Sequence, residues 1–104
     1  MDSVWWELEN GDELFGWSVD VAPFHSTVAV GTKSLLGGVV GVYHFDGLEW
    51  GLLGSVIDGS NEGLSDAGHA VVISFRGDFT LVGAPLTNGT AGIAWVFEWS
   101  VSKE

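Results

Sequence analysis

The sequence contains no cysteine and very little positive charge, and each shortage excludes a class of protein. A scaffold held by disulfides is impossible without cysteine. Lysine and arginine total 3 against 14 aspartate and glutamate residues, which gives a formal net charge of −11. A nucleic-acid surface needs clustered basic residues, whereas Lys33, Arg76 and Lys103 are scattered among carboxylates, so we expect no nucleic-acid partner.

The chain also lacks a long uninterrupted apolar run. The apolar stretch between Lys33 and Asp46 is short and is interrupted by glycines and a histidine, so we expect no insertion into a membrane. The first residues, Met1 to Glu7, show neither the basic segment nor the apolar core of a signal peptide. An extracellular role would therefore require a leader that has been removed or a longer protein around this chain.

Glycine is abundant, and its 16 copies disfavour long helices because each interior glycine costs a helix about 1 kcal/mol relative to alanine. Alternation with a period of two predicts strands instead. One face of the first such segment carries Phe15, Trp17, Val19 and Val21, and one face of a later segment carries Ala91, Ile93, Trp95, Phe97 and Trp99. Turn-forming residues lie between the apolar segments, at Asn10-Gly11-Asp12, Asp46-Gly47, Asp58-Gly59-Ser60-Asn61, Arg76-Gly77-Asp78 and Asn88-Gly89-Thr90. The pattern predicts an all-β chain.

The sequence aligns with itself at an offset of 52 residues, without a gap between Phe15 and Asp46. The identical pairs are Gly16 and Gly68, Val19 and Val71, Val30 and Val82, Gly31 and Gly83, Gly37 and Gly89, and Phe45 and Phe97. The alignment predicts strands a, b and c at 16–22, 27–31 and 39–45, and again at 68–74, 79–83 and 91–99. A fourth strand, d, is predicted near 49–57, with a matching one at 4–8.

The strand order d-abc-d-abc predicts two four-stranded antiparallel blades of a β-propeller. The first blade repeat covers about 10–57 and the second about 58–104, while 1–9 form the outer strand of a preceding or neighbouring blade. Two blades cannot close a ring, so we expect either a fragment of a longer propeller or a ring completed by oligomerisation, in which three chains supply six blades. A β-sandwich is the alternative, but it would not explain the regular period.

Short motifs of both repeats resemble those of a known family. The first repeat contains Phe15-Gly16-Trp17-Ser18-Val19, and the second contains Leu81-Val82-Gly83-Ala84-Pro85 and Gly92-Ile93-Ala94-Trp95-Val96-Phe97. These motifs resemble the FG-GAP repeats of integrin-α-like β-propellers. The resemblance implies a non-catalytic binding or adhesion module, outside the cell or at its surface, with a protein or glycan ligand.

The chain departs from the family pattern in three respects. The second repeat has Ala67-Gly68 where Phe-Gly is expected. The first repeat has Gly31-Thr32-Lys33 where the family has Gly-Ala-Pro. Many integrin-type blades carry a calcium loop between strands a and b, but the corresponding segments 20–26 and 74–78 lack the closely spaced carboxylates that calcium needs. We therefore expect no metal and no cofactor.

Tryptophan supports an alternative function, a Trp-rich carbohydrate-binding lectin that oligomerises into a full propeller. Exposed indoles stack on sugar rings, and Trp5, Trp6 and Trp50, at the outer strands, are the candidates for such stacking. Their counterparts on the blade faces are expected to fill the space between blades, and these are Trp17, Trp95 and Trp99. Asn88-Gly89-Thr90 is both a possible glycosylation site at Asn88 and an ordinary Asn-Gly turn.

Nothing in the sequence nominates a catalytic residue, so we expect the protein not to be an enzyme. The histidines, His25, His44 and His69, lie far apart in the chain and are interpreted as unrelated core or surface residues. The segment 63–68 misses the Gly-x-Ser-x-Gly spacing of a hydrolase by one residue. Paired carboxylates could serve a glycosidase, but in so acidic a chain the better interpretation is solvated loops, and the carboxylates concerned are Asp12, Glu13, Asp58, Glu62 and Asp66.

Overall fold

The computed structural model describes residues 7–9, 14–34, 37–87 and 91–98, and these residues form two antiparallel β-sheets. This confirms the prediction of an all-β, antiparallel chain. The helical segments in the described part are single 3-10 turns, Pro23–His25 and Gly59–Glu62, and no helix there is long and apolar enough to cross a membrane.

The first sheet is a meander in which consecutive strands lie side by side. Its strands are β1 (Ser18–Ala22), β2 (Thr27–Gly31), β3 (Val39–Phe45) and β4 (Trp50–Leu52), and a short β5 (Ile57–Asp58) also pairs with β3. The second sheet follows the same sequential order with β6 (Ala70–Ile73), β7 (Phe79–Ala84) and β8 (Ile93–Glu98).

The predicted fourth strand is present in two pieces. β4 pairs with one end of β3, where Leu52 lies opposite Tyr43, and β5 pairs with the other end, where Ile57 lies opposite Val40. The intervening residues break the ladder, and Gly54 adopts a positive φ of 62° there. Of the outer strand predicted at 4–8, only 7 and 8 are among the described residues, and these two lie outside any strand.

The strand pairings in the two sheets are related by 52 residues only in part. Ser18 lies opposite Gly31 in the first sheet, and Ala70 lies opposite Gly83 in the second, so the first two strands of each sheet keep the predicted offset. The third strands do not, because Thr27 faces His44 whereas Phe79 faces Glu98, which is 54 residues after His44. The gap-free alignment therefore does not hold for the third strand, although a shift of two residues keeps each side chain on the same face.

The hydrophobic core lies between the two sheets. The first sheet contributes mainly Ala22, Ala29, Val40 and Val42, and the second contributes Val71, Ile73, Val82 and Ala84. Trp95 packs against this core with its ring stacked on Phe97 at a centroid distance of 5.8 Å. Trp95 therefore fills the space between the sheets, as its alternating pattern predicts.

Polar contacts join the first strand of each sheet. The Ser18 hydroxyl donates a 2.5 Å hydrogen bond to the carbonyl oxygen of Gly68, and the Asp20 carboxylate accepts one of 2.8 Å from the backbone N–H of Ile73. The polar side of β1 consequently faces the second sheet. The predicted apolar side, which carries Val19 and Val21, faces outward.

Candidate functional site

Residues at equivalent positions of the two sheets point in opposite directions relative to the interface between the sheets. Where one points into the interface, its equivalent points away from it. In β1, Val19 is 63% exposed, whereas Val71, at the equivalent position of β6, is 7% exposed. The adjacent positions show the reverse, since Asp20 points towards the second sheet and its equivalent, Val72, is exposed. The sheets therefore present unlike faces to each other.

The other strands follow the same rule. Ala29 of β2 is in the core, while its equivalent in β7, Leu81, is exposed. Val42 of β3 is also in the core, and the residue at the matching register position of β8, Val96, is exposed. Two sheets related by a two-fold axis would bury equivalent faces. These sheets instead pack one on the other in the same orientation. Each sheet therefore has one outward face, and the two outward faces are not equivalent.

The two outward faces differ in how far they are open. The outer face of the second sheet is exposed across all three strands, at Val72, Phe79, Leu81 and Val96. The outer face of the first sheet is open at Val19 and Val21 of β1. It is covered further along, where Tyr43 is buried and Phe15 packs edge-on against it at a centroid distance of 6.3 Å.

An indole, an ammonium and an imidazole lie together at the edge of the two sheets where β1 and β6 begin and β2 ends. We call this group of Trp17, Lys33 and His69 the rim cluster. Trp17 immediately precedes β1, Lys33 lies just after β2 and His69 immediately precedes β6. The Lys33 Nζ atom is 5.1 Å from the centroid of the Trp17 ring, and the Trp17 and His69 ring centroids are 6.3 Å apart. Trp17 is 51% exposed, so the expectation that it fills the space between blades is not met within this chain.

A buried carboxylate orients the imidazole of the rim cluster. Asp66 is only 2% exposed, and its Oδ2 atom lies 2.9 Å from Nδ1 of His69, whose side chain is 40% exposed. Its Oδ1 atom accepts a 2.9 Å hydrogen bond from the backbone N–H of Ser34. The interpretation of Asp66 as a solvated loop carboxylate is therefore wrong, because both of its oxygens are used inside the fold.

The backbone between Asp66 and His69 is held by both sheets. The Ala67 N–H donates to the Gly37 carbonyl at 2.8 Å, and the Gly68 N–H donates to the Gly83 carbonyl at 3.1 Å. Since these bonds reach the residues just before β3 and the end of β7, the segment cannot shift without disturbing two sheets. His69 therefore occupies a defined position at the rim.

The sequence-predicted sugar-stacking residues are placed only in part. Trp5, Trp6 and Asn88 lie outside the described residues. Trp50 begins β4 and is half-buried, with its ring tilted against Phe45 at a centroid distance of 5.3 Å. Its indole Nε1 is buried and has no hydrogen-bond partner. In the part of the chain that the structure describes, Trp17 offers a more exposed indole than Trp50.

Sequence reasoning did not identify the rim cluster. The signal available to it was the spacing of Asp66 and His69, three residues apart, but the contribution of Trp17 and Lys33 depends on how the sheets pack. A carboxylate-oriented imidazole can accept or donate a proton, yet His69 is not hydrogen-bonded to any hydroxyl among the described residues.

Within those residues no group of three His, Cys, Asp or Glu side chains could hold a metal ion. Comparison with protein-family models, with curated protein sequences and with solved structures found no match to this chain.

Proposed function

We propose that the chain forms two blades of an FG-GAP-like β-propeller and acts as a non-catalytic binding or adhesion module for a protein or glycan ligand. The observation that carries the proposal is the opposite exposure of Val19 and Val71. In a propeller, each blade packs one face on the next blade and the opposite face on the previous one. The opposite exposure of Val19 and Val71, of Ala29 and Leu81, and of Val42 and Val96 supports this arrangement.

The contact between the first strands supports the same arrangement. The most extensive contact between strands of the two sheets is that of β1 with β6. Asp20 there bonds to Ile73, and Ser18 bonds to Gly68 just before β6. Adjacent blades of a propeller likewise approach each other most closely at the strands that surround the central axis. The proposal therefore assigns β1 and β6 to the inner strands of two neighbouring blades.

The outward faces supply the reason for further blades. An apolar face open across three strands is unusual for a monomeric protein and is typical of an interaction surface. The outer face of the second sheet is equivalent to the face of the first sheet that is buried between the two sheets. It would therefore pack on the outer face of the first sheet of a further copy or of an equivalent blade. Such head-to-tail contacts close into a ring when the rotation per blade fits. The additional blades come from further copies of this chain or from a longer protein.

Sedimentation velocity over a range of protein concentrations tests the self-assembling form of the proposal. A closed ring of three chains predicts a species of about 33 kDa, three times the chain mass of 11.0 kDa. A chain that stays at 11.0 kDa at every concentration would show that it does not complete a ring by itself.

The second candidate is a lectin that oligomerises into a full propeller, and the exposed indole of Trp17 favours it. A glycan array probed with the assembled protein tests this candidate, and an array without binding counts against it. We further propose a location outside the cell or at its surface, for which the family resemblance is the support.

A further inference from the structure

The rim cluster has the chemistry to select one class of glycan. We propose that Trp17, Lys33 and His69 bind an acidic sugar, a uronic-acid residue of a glycan chain. This inference rests on the proposed function, because it names the ligand of the binding module. Three observations carry it. The Trp17 indole is exposed, the Lys33 ammonium has no carboxylate partner among the residues that the structure describes, and the His69 imidazole is held by the buried carboxylate of Asp66.

Trp17 provides the stacking surface. Its indole lies at the rim and Trp17 is 51% exposed. The C–H face of a pyranose ring packs on such a flat apolar surface. Lys33 lies over one face of the ring, with Nζ 5.1 Å from the centroid. A lysine side chain is flexible, so a ligand carboxylate can draw the ammonium away from the ring and open that face for the sugar.

Lys33 supplies the preference for an acid. Among the described residues, no carboxylate forms an ion pair with it. The Asp66 carboxylate makes its hydrogen bonds to Ser34 and His69 and forms no ion pair with Lys33. The chain as a whole carries −11, so the Lys33 ammonium, which forms no ion pair within the described ranges and lies beside an open indole, is a local exception that favours an anionic group.

His69 supplies a directed hydrogen bond. Its Nδ1 atom faces Asp66 at 2.9 Å, which leaves Nε2 as the nitrogen that can meet a ligand. Sugar hydroxyls can donate to this nitrogen or accept from it. An acidic peptide would satisfy Lys33 but would make less use of the flat indole and of the oriented imidazole, so the three groups together favour a sugar acid.

Calorimetric titration of the full chain tests the inference with three probes, namely tri-galacturonic acid, uncharged galactotriose and tri-glutamate. We expect tri-galacturonic acid to bind at least ten times more tightly than either of the other two. K33Q should weaken tri-galacturonic acid binding at least ten times more than galactotriose binding, because only the acidic sugar loses an ionic partner. W17A should remove the binding of both sugars, and H69Q should weaken both by a few-fold.

R76Q is the matched control, because Arg76 is the other described cation and lies in the turn at the opposite end of β6. It should leave all affinities unchanged. The proposal is overturned if tri-galacturonic acid does not bind, if galactotriose or tri-glutamate binds as tightly, or if K33Q behaves like R76Q.

Circular dichroism of each variant establishes that it is folded, and W17L, which also lacks an aromatic ring, replaces W17A if the alanine variant is not. Sedimentation of the same samples separates the two proposals. Assembly without binding of tri-galacturonic acid overturns the ligand class alone, whereas a monomer that binds neither sugar overturns the ligand class and the self-assembling form of the proposed function.

Discussion

The carboxylate of Asp20 accepts a 2.8 Å hydrogen bond from the backbone N–H of Ile73, across the interface between the two sheets. Ile73 belongs to β6, which is an edge strand of the described second sheet. Its outward N–H has no neighbouring strand to pair with, and Asp20 takes that role. A polar side chain of one sheet thus completes the backbone hydrogen bonding of the other, which explains why the polar side of β1 faces inward.

Replacing Asp20 by alanine should lower the free energy of unfolding by about 1–3 kcal/mol, because it leaves the Ile73 N–H without its partner at the interface. D20N should lose less, since the amide oxygen can still accept. Urea denaturation followed by circular dichroism measures both. E49A is the control, because it removes an exposed carboxylate elsewhere in this acidic chain. Equal stabilities for D20A and E49A would contradict the bridging role of Asp20.

Gly68 packs closely against the backbone of the first sheet, and G68A should be severely destabilising. Its φ is +94°, and an added Cβ would lie 2.8 Å from the backbone nitrogen of Thr32 and 2.9 Å from the carbonyl oxygen of Val39. These two atoms are hydrogen-bonded to each other, so they cannot move aside without breaking that pairing. We expect a loss of about 2–4 kcal/mol in the same urea experiment.

The control for G68A is G51A. Gly51 is exposed in β4, and an added Cβ would meet nothing within 4 Å. The change there should stay within about 0.5 kcal/mol. If G68A were as stable as G51A, the close approach at Gly68 would be ruled out.

Asp46 should add a pH-dependent contribution to the stability of the turn between β3 and β4. Hydrogen bonds from the backbone N–H groups of Glu49, at 3.0 Å, and Leu48, at 2.8 Å, lower the pKa of the Asp46 carboxyl below its usual range. Because the pKa is lower in the folded state, the stabilisation is present above the unfolded-state pKa and is lost as the pH falls through the folded-state pKa.

A carboxyl ¹³C titration should therefore place the Asp46 pKa below that of the same residue in an unfolded peptide. D46N keeps an acceptor oxygen in the turn but cannot titrate, so its stability should fall less than that of the native chain on acidification. E49Q serves as the control, since it removes a neighbouring carboxylate and retains both hydrogen bonds to Asp46. A titration at or above the peptide value would contradict the role of these hydrogen bonds.

Much of the strand pattern could be predicted from sequence, because apolar alternation and glycine turns act locally. β2 and β3 begin and end at the predicted residues, Thr27–Gly31 and Val39–Phe45. The break between β4 and β5 and the displaced register of β8 could not be predicted, since both depend on the partner strand. Which face of each strand is buried could not be predicted either, because Val19 points outward only as a result of the way β6 packs.

The candidate site was less accessible to sequence reasoning. Asp66 and His69 are close in the chain, but nothing local shows that the carboxylate is buried. Trp17 and Lys33 join His69 only because Ser18 pairs with Gly31 and bonds to Gly68. A cluster assembled by contact between two sheets leaves no periodic signature in the sequence.

The opposite exposure of Val19 and Val71 leads to a test with two complementary variants. In V21E, a charge blocks the outer face of the first sheet, and in V72E, a charge blocks the outer face of the second sheet. A head-to-tail assembly needs both faces on every chain, so each variant alone should remain at the chain mass of 11.0 kDa. An equimolar mixture still contains one intact face of each kind and should give a complex of about 22 kDa, measured by sedimentation velocity.

The control for this test is L48E, in which the charge is placed on an exposed turn residue away from both faces. It should assemble like the native chain. An interface between like faces would behave differently, because the variant with that face intact would self-associate without its partner and the mixture would add nothing. The mixture therefore distinguishes stacking in one sense, as blades do, from a two-fold dimer that uses the same apolar residues.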